Sequence, residues 1–234
     1  IRLAGGFGDR AAWGYYAATF AFLLTTAGSA PLVSIALRMT KGNWRRPMAR
    51  ASELFAIAGV LLIVWFIPLL WLVPSARGRN TIWFDWPLAP HLWDTLAGAG
   101  LAVCAIGVLY VGALPDLAAA RDHASGPRQK LWARLALGWR GNARQWKLMR
   151  WGQVSLGGMF FMLLVVVHSL VAADFAMSFV PGWVDAIFPA YHALSGLQAA
   201  LATMLVTMYL LRQFGGLRDY LHVDQFWGLS KLLL

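Results

Sequence analysis

Residues 168–192 read HSLVAADFAMSFVPGWVDAIFPAYH and join two long apolar stretches of the chain. His168 and His192 lie inside those stretches, and Asp174 and Asp185 lie between them. Ionisable side chains are costly to bury among apolar helices, so their presence there indicates a functional site by default. The segment therefore predicts two neighbouring helices and the place where chemistry is expected.

The composition is that of an integral membrane protein. The 234 residues are 59% hydrophobic and 13% charged, whereas soluble domains carry about 25% charged residues. Thirteen Trp and thirteen Phe residues fit interface belts and packed membrane helices. In a soluble protein the net charge of +10 would indicate nucleic acid, but here the topology of the loops explains it.

Five apolar segments are long enough to cross a hydrocarbon core of about 30 Å as helices. They are residues 13–37, 54–73, 95–114, 154–173 and 186–211, and a sixth starts near residue 226. We expect Pro31 to kink the first, and Pro74 and Pro115 to end the second and third. The predicted fold is an all-α integral membrane protein with a single polytopic helical domain over residues 1–234.

Lys and Arg residues are concentrated in alternate connections. Five lie between the first two segments and eight between the third and fourth, whereas Arg77 and Arg79 alone separate the second from the third. The positive-inside rule then places residues 168–192 on the outer side and residues 121–150 in the cytoplasm, as a basic amphipathic loop. Because the chain starts outside without a leader and ends by entering an apolar run, we expect a longer protein with a further helix upstream.

Residues 168–192 fit proton-coupled redox chemistry. A quinol that loses two electrons also releases two protons, and imidazole and carboxylate groups can accept them. We therefore predict His168 and Asp174 as catalytic proton acceptors, and Asp185 as part of a proton path. The predicted quinone contacts are Tyr191, His192, Trp183 and Ser169. The alternative interpretation makes the acids solvated loop residues and His168 a hydrogen-bond donor between helices; haem ligation by His168 and His192 is a further one.

Other motifs narrow the choice. The chain has no Walker loop, no HExxH, no haem-attachment motif and a lone cysteine, Cys104. Glu53 follows a basic run and is either a proton entry point or the partner of Arg46 or Arg50. Asp94 and Asp116 stand near the ends of the third segment, where we expect structural roles, with Asp94 as a helix N-cap.

Several stretches resemble the NrfD/PsrC family of membrane subunits, which includes the polysulfide reductase membrane subunit. They include WRRPMARASE at residues 44–53, GALPDLAAARD at 112–122, LALGWRGNARQW at 135–146 and LHVDQFWGLSKLLL at 221–234. The longest is residues 168–191. These stretches resemble most narrowly the quinol-oxidising NrfD-like subunit of alternative complex III.

The resemblance implies a larger protein of eight to ten helices built as two four-helix bundles in a bacterial inner membrane. It implies quinol as substrate near the periplasmic face, with no metal or haem in this chain. Electrons would pass to a partner iron–sulfur protein and then to c-type haems, beside a second NrfD-like membrane subunit. His168 and Asp174 match the family's HS…DFA residues, and residues 181–183 match its Pro-Gly-Trp turn.

The chain departs from the family's pattern at three polar positions. Val184 stands where the family usually has a histidine, the stretch TTAGSAPLVS has no histidine, and WFIPLLWLVP is apolar. The first hypothesis is a quinone-interacting subunit of an electron-transfer complex. The second, which these departures favour, is a non-redox membrane anchor or proton-conducting subunit of such a complex.

Overall fold

The structure, a computed structural model, describes residues 10–42, 46–71, 87–177, 180 and 182–233, and these residues form helices and connections without a strand. The helices are α1 Arg10–Leu23, a π-helical turn Leu24–Gly28, α2 Pro31–Met39, α3 Arg46–Leu54, α4 Ala56–Leu70, α5 His91–His123, α6 Pro127–Leu135, α7 Ala143–Phe175, α8 Phe188–Phe214 and α9 Val223–Ser230. Pro74, Arg77, Arg79 and Pro181 lie outside the described residues.

Four of the described helical stretches are long and apolar enough to cross a membrane: α3 with α4, α5, α7 and α8. The pair formed by α1 with the π turn and by α2 is also long and apolar enough for a span, and its two halves are bent by 41°. The protein is therefore an all-α, multi-pass membrane protein, and the predicted fold class is confirmed.

Helices α5 and α7 pack closely in an antiparallel pair because glycines on α5 admit leucines of α7. A Cβ atom on Gly100 would lie 3.2 Å from Leu163, and one on Gly107 would lie 3.1 Å from Leu156. The two glycines and the two leucines are each seven residues apart, so successive contacts fall on the same faces. Small residues let membrane helices approach in this way, and the contact fixes which residues of α5 and α7 face each other.

Helices α5 and α7 extend further than the apolar segments that predicted them. We expected Pro115 to end the third helix, but this prediction is wrong: α5 continues through Pro115 to His123. Pro115 cannot donate a backbone hydrogen bond, and the Arg50 guanidinium donates to the nearby carbonyl of Gly112. Helix α7 begins at Ala143, eleven residues before the predicted start, because Asn142 and Gln145 form a capping box there.

The basic connection over residues 121–150 is folded against the bundle. It contains α6 and three glycines with positive φ, Gly126, Gly138 and Gly141, and the last two lie in the chain reversal between α6 and α7, where this conformation suits glycine. The Trp139 ring is buried, packs edge-on against Trp146 at 5.2 Å, and its carbonyl accepts a hydrogen bond from Arg121. Trp139 thus faces the protein, whereas the sequence predicted a residue of a surface-lying segment.

The bend predicted at Pro31 is present, and Ser52 of α3 stabilises it. The backbone N–H of Ser34 donates to Ser52 Oγ at 3.1 Å, and the Ser52 hydroxyl donates to the carbonyl of Ala30 at 2.8 Å. The Ser52 hydroxyl therefore stands between a donor and an acceptor that an uninterrupted helix would join directly. Broken membrane helices need such partners, since lipid offers none.

Replacement of Ser52 by Ala tests this interaction. Ser52→Ala leaves a buried N–H and a buried carbonyl without their partner, so we expect the free energy of unfolding to fall by about 1–3 kcal/mol. Ser230→Ala is the matched control, because the Ser230 hydroxyl bonds within its own helical turn on the surface. Denaturant unfolding of both variants in detergent measures the difference, and equal stabilities would contradict the role of Ser52.

Candidate functional site

Three acids and one histidine of the described residues are buried in the apolar bundle, although such groups are rarely buried without a partner. His168 is 1% exposed, Asp174 0%, Asp94 1% and Glu53 1%. The first three belong to the end of the bundle where α5 begins and α7 ends. Together with His192 they form what we call the His–Asp cluster. Glu53 belongs to a second cluster towards the other end of α7.

The hydrogen bond of His168 fixes which ring nitrogen carries its proton. Nδ1 lies 2.8 Å from the carbonyl oxygen of Leu164, and because a carbonyl can only accept, Nδ1 is the donor. Nε2 is then the proton acceptor, and it is buried without a hydrogen-bond partner among the described residues. It faces Gly196 of α8, where a Cβ atom would lie 2.5 Å from it. Glycine at position 196 therefore makes room for the imidazole.

His192 connects His168 to the surface. The two rings are 5.1 Å apart, and His192 Nδ1 donates to the His168 carbonyl at 3.2 Å. Phe188 stacks on His192 at 6.4 Å, and Trp183 lies 4.8 Å from Phe188. A line of rings thus leads from Trp183 to the buried imidazole. The direct contact between the imidazoles leaves no space for a porphyrin plane between them.

Asp174 is paired with Asp94, a residue that the sequence analysis placed elsewhere. Asp94 is the fourth residue of α5, whose N-cap is Pro90, so the prediction that Asp94 caps this helix is wrong. No donor of the described residues reaches either carboxyl oxygen of Asp94, but the Asp174 carboxyl lies within hydrogen-bonding reach. Two carboxyl groups can hydrogen-bond only when one of them holds a proton, because carboxylates are acceptors alone.

The cluster therefore contains two pairs, and they differ from the predicted grouping of His168 with Asp174. Six residues separate those two along α7, which turns their side chains roughly 120° apart around the helix axis. His168 meets His192 of α8 on one side, whereas Asp174 meets Asp94 of α5 on another. The predicted residues belong to one end of the bundle, with Asp94 as the member that the sequence analysis missed.

The other residues that the sequence predicted for the site lie outside these two pairs. We call the row of rings formed by Trp183, Phe188 and His192 the rim of the cluster. Trp183 is half-buried beside Phe188, and Tyr191 is 63% exposed on the first turn of α8. The Ser169 hydroxyl donates to Val165 of its own helix. Asp185 accepts hydrogen bonds from the N–H groups of Ile187 and Phe188 at 2.8 and 3.3 Å. Asp185 thus stabilises the start of α8, an interaction that the sequence analysis did not foresee.

Glu53 is the centre of a second cluster, which we call the Arg–Glu cluster and which also contains Arg38, Arg50 and Asp116. Glu53 Oε1 lies 2.5 Å from Arg38 Nη2, and Oε2 lies 2.8 Å from Arg50 Nη1. Arg50 also contacts Asp116 at 2.9 Å. Of the two interpretations of Glu53, this geometry favours the ion pair, formed with the predicted Arg50 and with Arg38 instead of Arg46.

The Arg–Glu cluster borders a cavity of about 280 Å³ that Gln153 of α7 also lines. Gly112 keeps this region open, because a Cβ atom there would lie within 2.8 Å of Arg50, Glu53 and Gln153. From Gln153 to His168 the helix rises about 22 Å, and its buried residues in between, Gly157, Phe160, Leu164 and Val167, are apolar. The two clusters are therefore separate features of the bundle.

Fold and site together define a multi-pass helical membrane protein with paired titratable groups buried at one end. Among the described residues, no three His, Cys, Asp or Glu side chains are grouped as metal ligands would be. Comparison with protein-family models and with curated proteins finds no match to this chain. The His–Asp cluster can accept and store protons, because Nε2 of His168 and the carboxyl groups of Asp94 and Asp174 are proton acceptors.

The ion-pair role of Glu53 predicts a loss of stability. Glu53→Gln removes the carboxylate that Arg38 and Arg50 share, and the side chains of those two are 15% and 41% exposed. Because water reaches both arginines, we expect the free energy of unfolding to fall by about 2–3 kcal/mol. Removal of one partner from a fully buried ion pair costs more than this.

Asp122→Asn is the matched control, because Asp122 pairs with Arg121 on the surface, and exposed ion pairs contribute little to stability. Thermal unfolding of both variants in detergent measures the contrast. A Glu53→Gln variant as stable as the native protein would instead support the proton-entry interpretation.

Proposed function

We propose that this chain is a quinone-interacting membrane subunit of an electron-transfer complex, as its resemblance to the NrfD/PsrC family implies. The observation that carries the proposal is the His–Asp cluster, in which two imidazoles and two carboxyl groups meet at one end of an apolar bundle. Oxidation of a quinol releases two electrons and two protons, and such groups are suited to accept the protons.

The rim of the cluster is suited to a flat aromatic substrate. Trp183, Phe188 and His192 present a continuous row of rings, against which a quinol ring can stack. Tyr191, one residue before His192, offers a hydroxyl that can hydrogen-bond a quinone oxygen. Ligand pockets combine apolar walls with a few oriented polar groups, and this surface has both.

Each proton of the quinol has a separate acceptor in this arrangement. With its Nδ1 donating to the His168 carbonyl, His192 has Nε2 as its acceptor, and we assign the first proton to that atom. The second proton goes to the Asp94–Asp174 pair, in which two neighbouring carboxyl groups can hold it between them. The two electrons leave to an iron–sulfur partner and then to a c-type cytochrome, as the resemblance implies.

The charge distribution supports an orientation for the proposed site. Basic residues are frequent at the ends of α2 and α3 and in the α5–α7 connection, and absent from residues 168–192. By the positive-inside rule, the His–Asp cluster then opens to the periplasmic side of a bacterial cytoplasmic membrane. We propose that an iron–sulfur subunit docks on that side and that a second NrfD-like subunit lies beside this chain.

A second candidate function is a non-redox anchor or proton-holding subunit of such a complex. One observation favours it: His168 Nε2 is packed against Gly196, so no substrate touches it without a movement of α8. The departures at three family positions, Val184 among them, support the same candidate. In that case the two buried pairs store protons while the quinone binds to another subunit.

Substitution of one member of each pair distinguishes the candidates. His192→Phe keeps the ring contact with Phe188 but removes the proton acceptor, and Asp94→Asn keeps a hydrogen bond to Asp174 but removes one carboxyl group. Loss of a general base lowers turnover by about 10²–10⁴-fold, so we expect a fall of at least about 100-fold in quinol oxidation by the assembled complex.

His123→Phe and Asp122→Asn are the matched controls, because both residues are exposed at the end of α5, far from the cluster. We expect both to retain turnover within about twofold, since surface changes rarely disturb a distant site. The amount of assembled complex is measured for every variant. Native turnover in the His192 and Asp94 variants would contradict the quinol-oxidising function and favour the anchor.

A further inference from the structure

One face of α7 carries cations above an exposed apolar stripe. Lys147, Arg150, Trp151 and Val154 line a shallow groove of about 270 Å³. Because an α-helix turns every 3.6 residues, positions 147, 151, 154, 158, 161 and 165 follow one another along a single face. This face passes from Lys147 through Trp151 to apolar residues, so it crosses the boundary between aqueous and hydrocarbon phases.

The stripe below the cations has no partner among the described residues. Val154 and Phe161 are both 42% exposed and Val165 is 39% exposed. Between them, Gly158 leaves a notch, since a Cβ atom there would meet nothing within 4 Å. A flexible chain of methylene groups can lie along such a shallow apolar surface and fill the notch.

The charges at the top of the stripe are not balanced within the described structure. None of the described carboxylates forms an ion pair with Lys147 or Arg150, and the first turn of α7 contains no acidic residue. Lys147 and Arg150 are the fifth and eighth residues of α7, less than one helical turn apart. An anion bound between them would relieve the mutual repulsion of the two cations.

We infer that this face of α7 binds an anionic glycerophospholipid, with its phosphate at Lys147 and Arg150 and an acyl chain along Val154, Gly158 and Phe161. Trp151 lies at the level of the headgroup, where an indole ring is favoured. A basic cluster directly beside a membrane helix is the usual means of holding an acidic headgroup. The inference is independent of the proposed function, because it concerns a different face and a different end of the bundle.

Native mass spectrometry of the full-length protein in detergent tests the site, with phosphatidylglycerol and phosphatidylcholine of identical acyl chains as probes. We expect retention of phosphatidylglycerol in preference to phosphatidylcholine. The double variant Lys147→Gln with Arg150→Gln should weaken the retention about 30-fold, from the usual contribution of two basic residues near a membrane surface. The matched control is Lys130→Gln with Arg134→Gln, one Lys and one Arg a turn apart on α6, and it should retain lipid within about threefold.

A second variant tests the acyl-chain contact with all charges in place. Gly158→Phe fills the notch and should lower retention of phosphatidylglycerol. It should leave the packing of α7 undisturbed, because a Cβ atom at this position meets nothing within 4 Å. Equal retention of both lipids, or no effect of the α7 double variant, would overturn the inference. So would displacement of the lipid by inorganic phosphate alone, which would show a free-anion site, or a co-purified protein that covers this face.

Discussion

The close antiparallel packing of α5 against α7 determines where both polar clusters form. Gly100 and Gly107 admit Leu163 and Leu156, and this register leaves little freedom for the rest of either helix. It brings the beginning of α5 to the end of α7, so that Asp94 meets Asp174. It also brings Gly112 next to Gln153, where the absence of a side chain on α5 leaves space for the arginines and Glu53.

The buried carboxyl groups of the two clusters have different neighbours. In the Arg–Glu cluster, Glu53 is compensated by two guanidinium groups, and the result ties α2, α3 and α5 together. In the His–Asp cluster the carboxyl group of Asp94 lies beside that of Asp174, an arrangement in which two carboxyl groups can share one proton. A fully compensated charge is suited to holding helices together, whereas a pair joined by a proton is suited to exchanging one. This contrast is why we place the proposed chemistry at Asp94 and Asp174 and a structural role at Glu53.

The sequence predicts the membrane spans well because apolar length alone determines them. It predicts helix ends poorly, since α5 and α7 continue on backbone hydrogen bonds where the apolar residues stop. Burial of His168 and Asp174 also follows from their apolar surroundings, but their partners do not. Asp94 has the local signature of an N-cap, and only the register of α5 on α7 reveals that it faces Asp174. The sequence likewise predicts Arg38 only as one of the basic residues after the first segment. Its contact with Glu53 depends on the bend at Pro31, which sets the direction of α2.

The central claim is that a quinone binds at the rim of the His–Asp cluster, and photo-labelling of the native complex with an azido-quinone tests it most directly. After irradiation and peptide mapping, the expected result is label on the peptides covering residues 154–198, and above all on Trp183 and on Tyr191 at the start of α8. Competition by unlabelled quinone should remove that label. Label confined to other subunits would contradict the claim and leave this chain as an anchor whose buried acid pair stores protons.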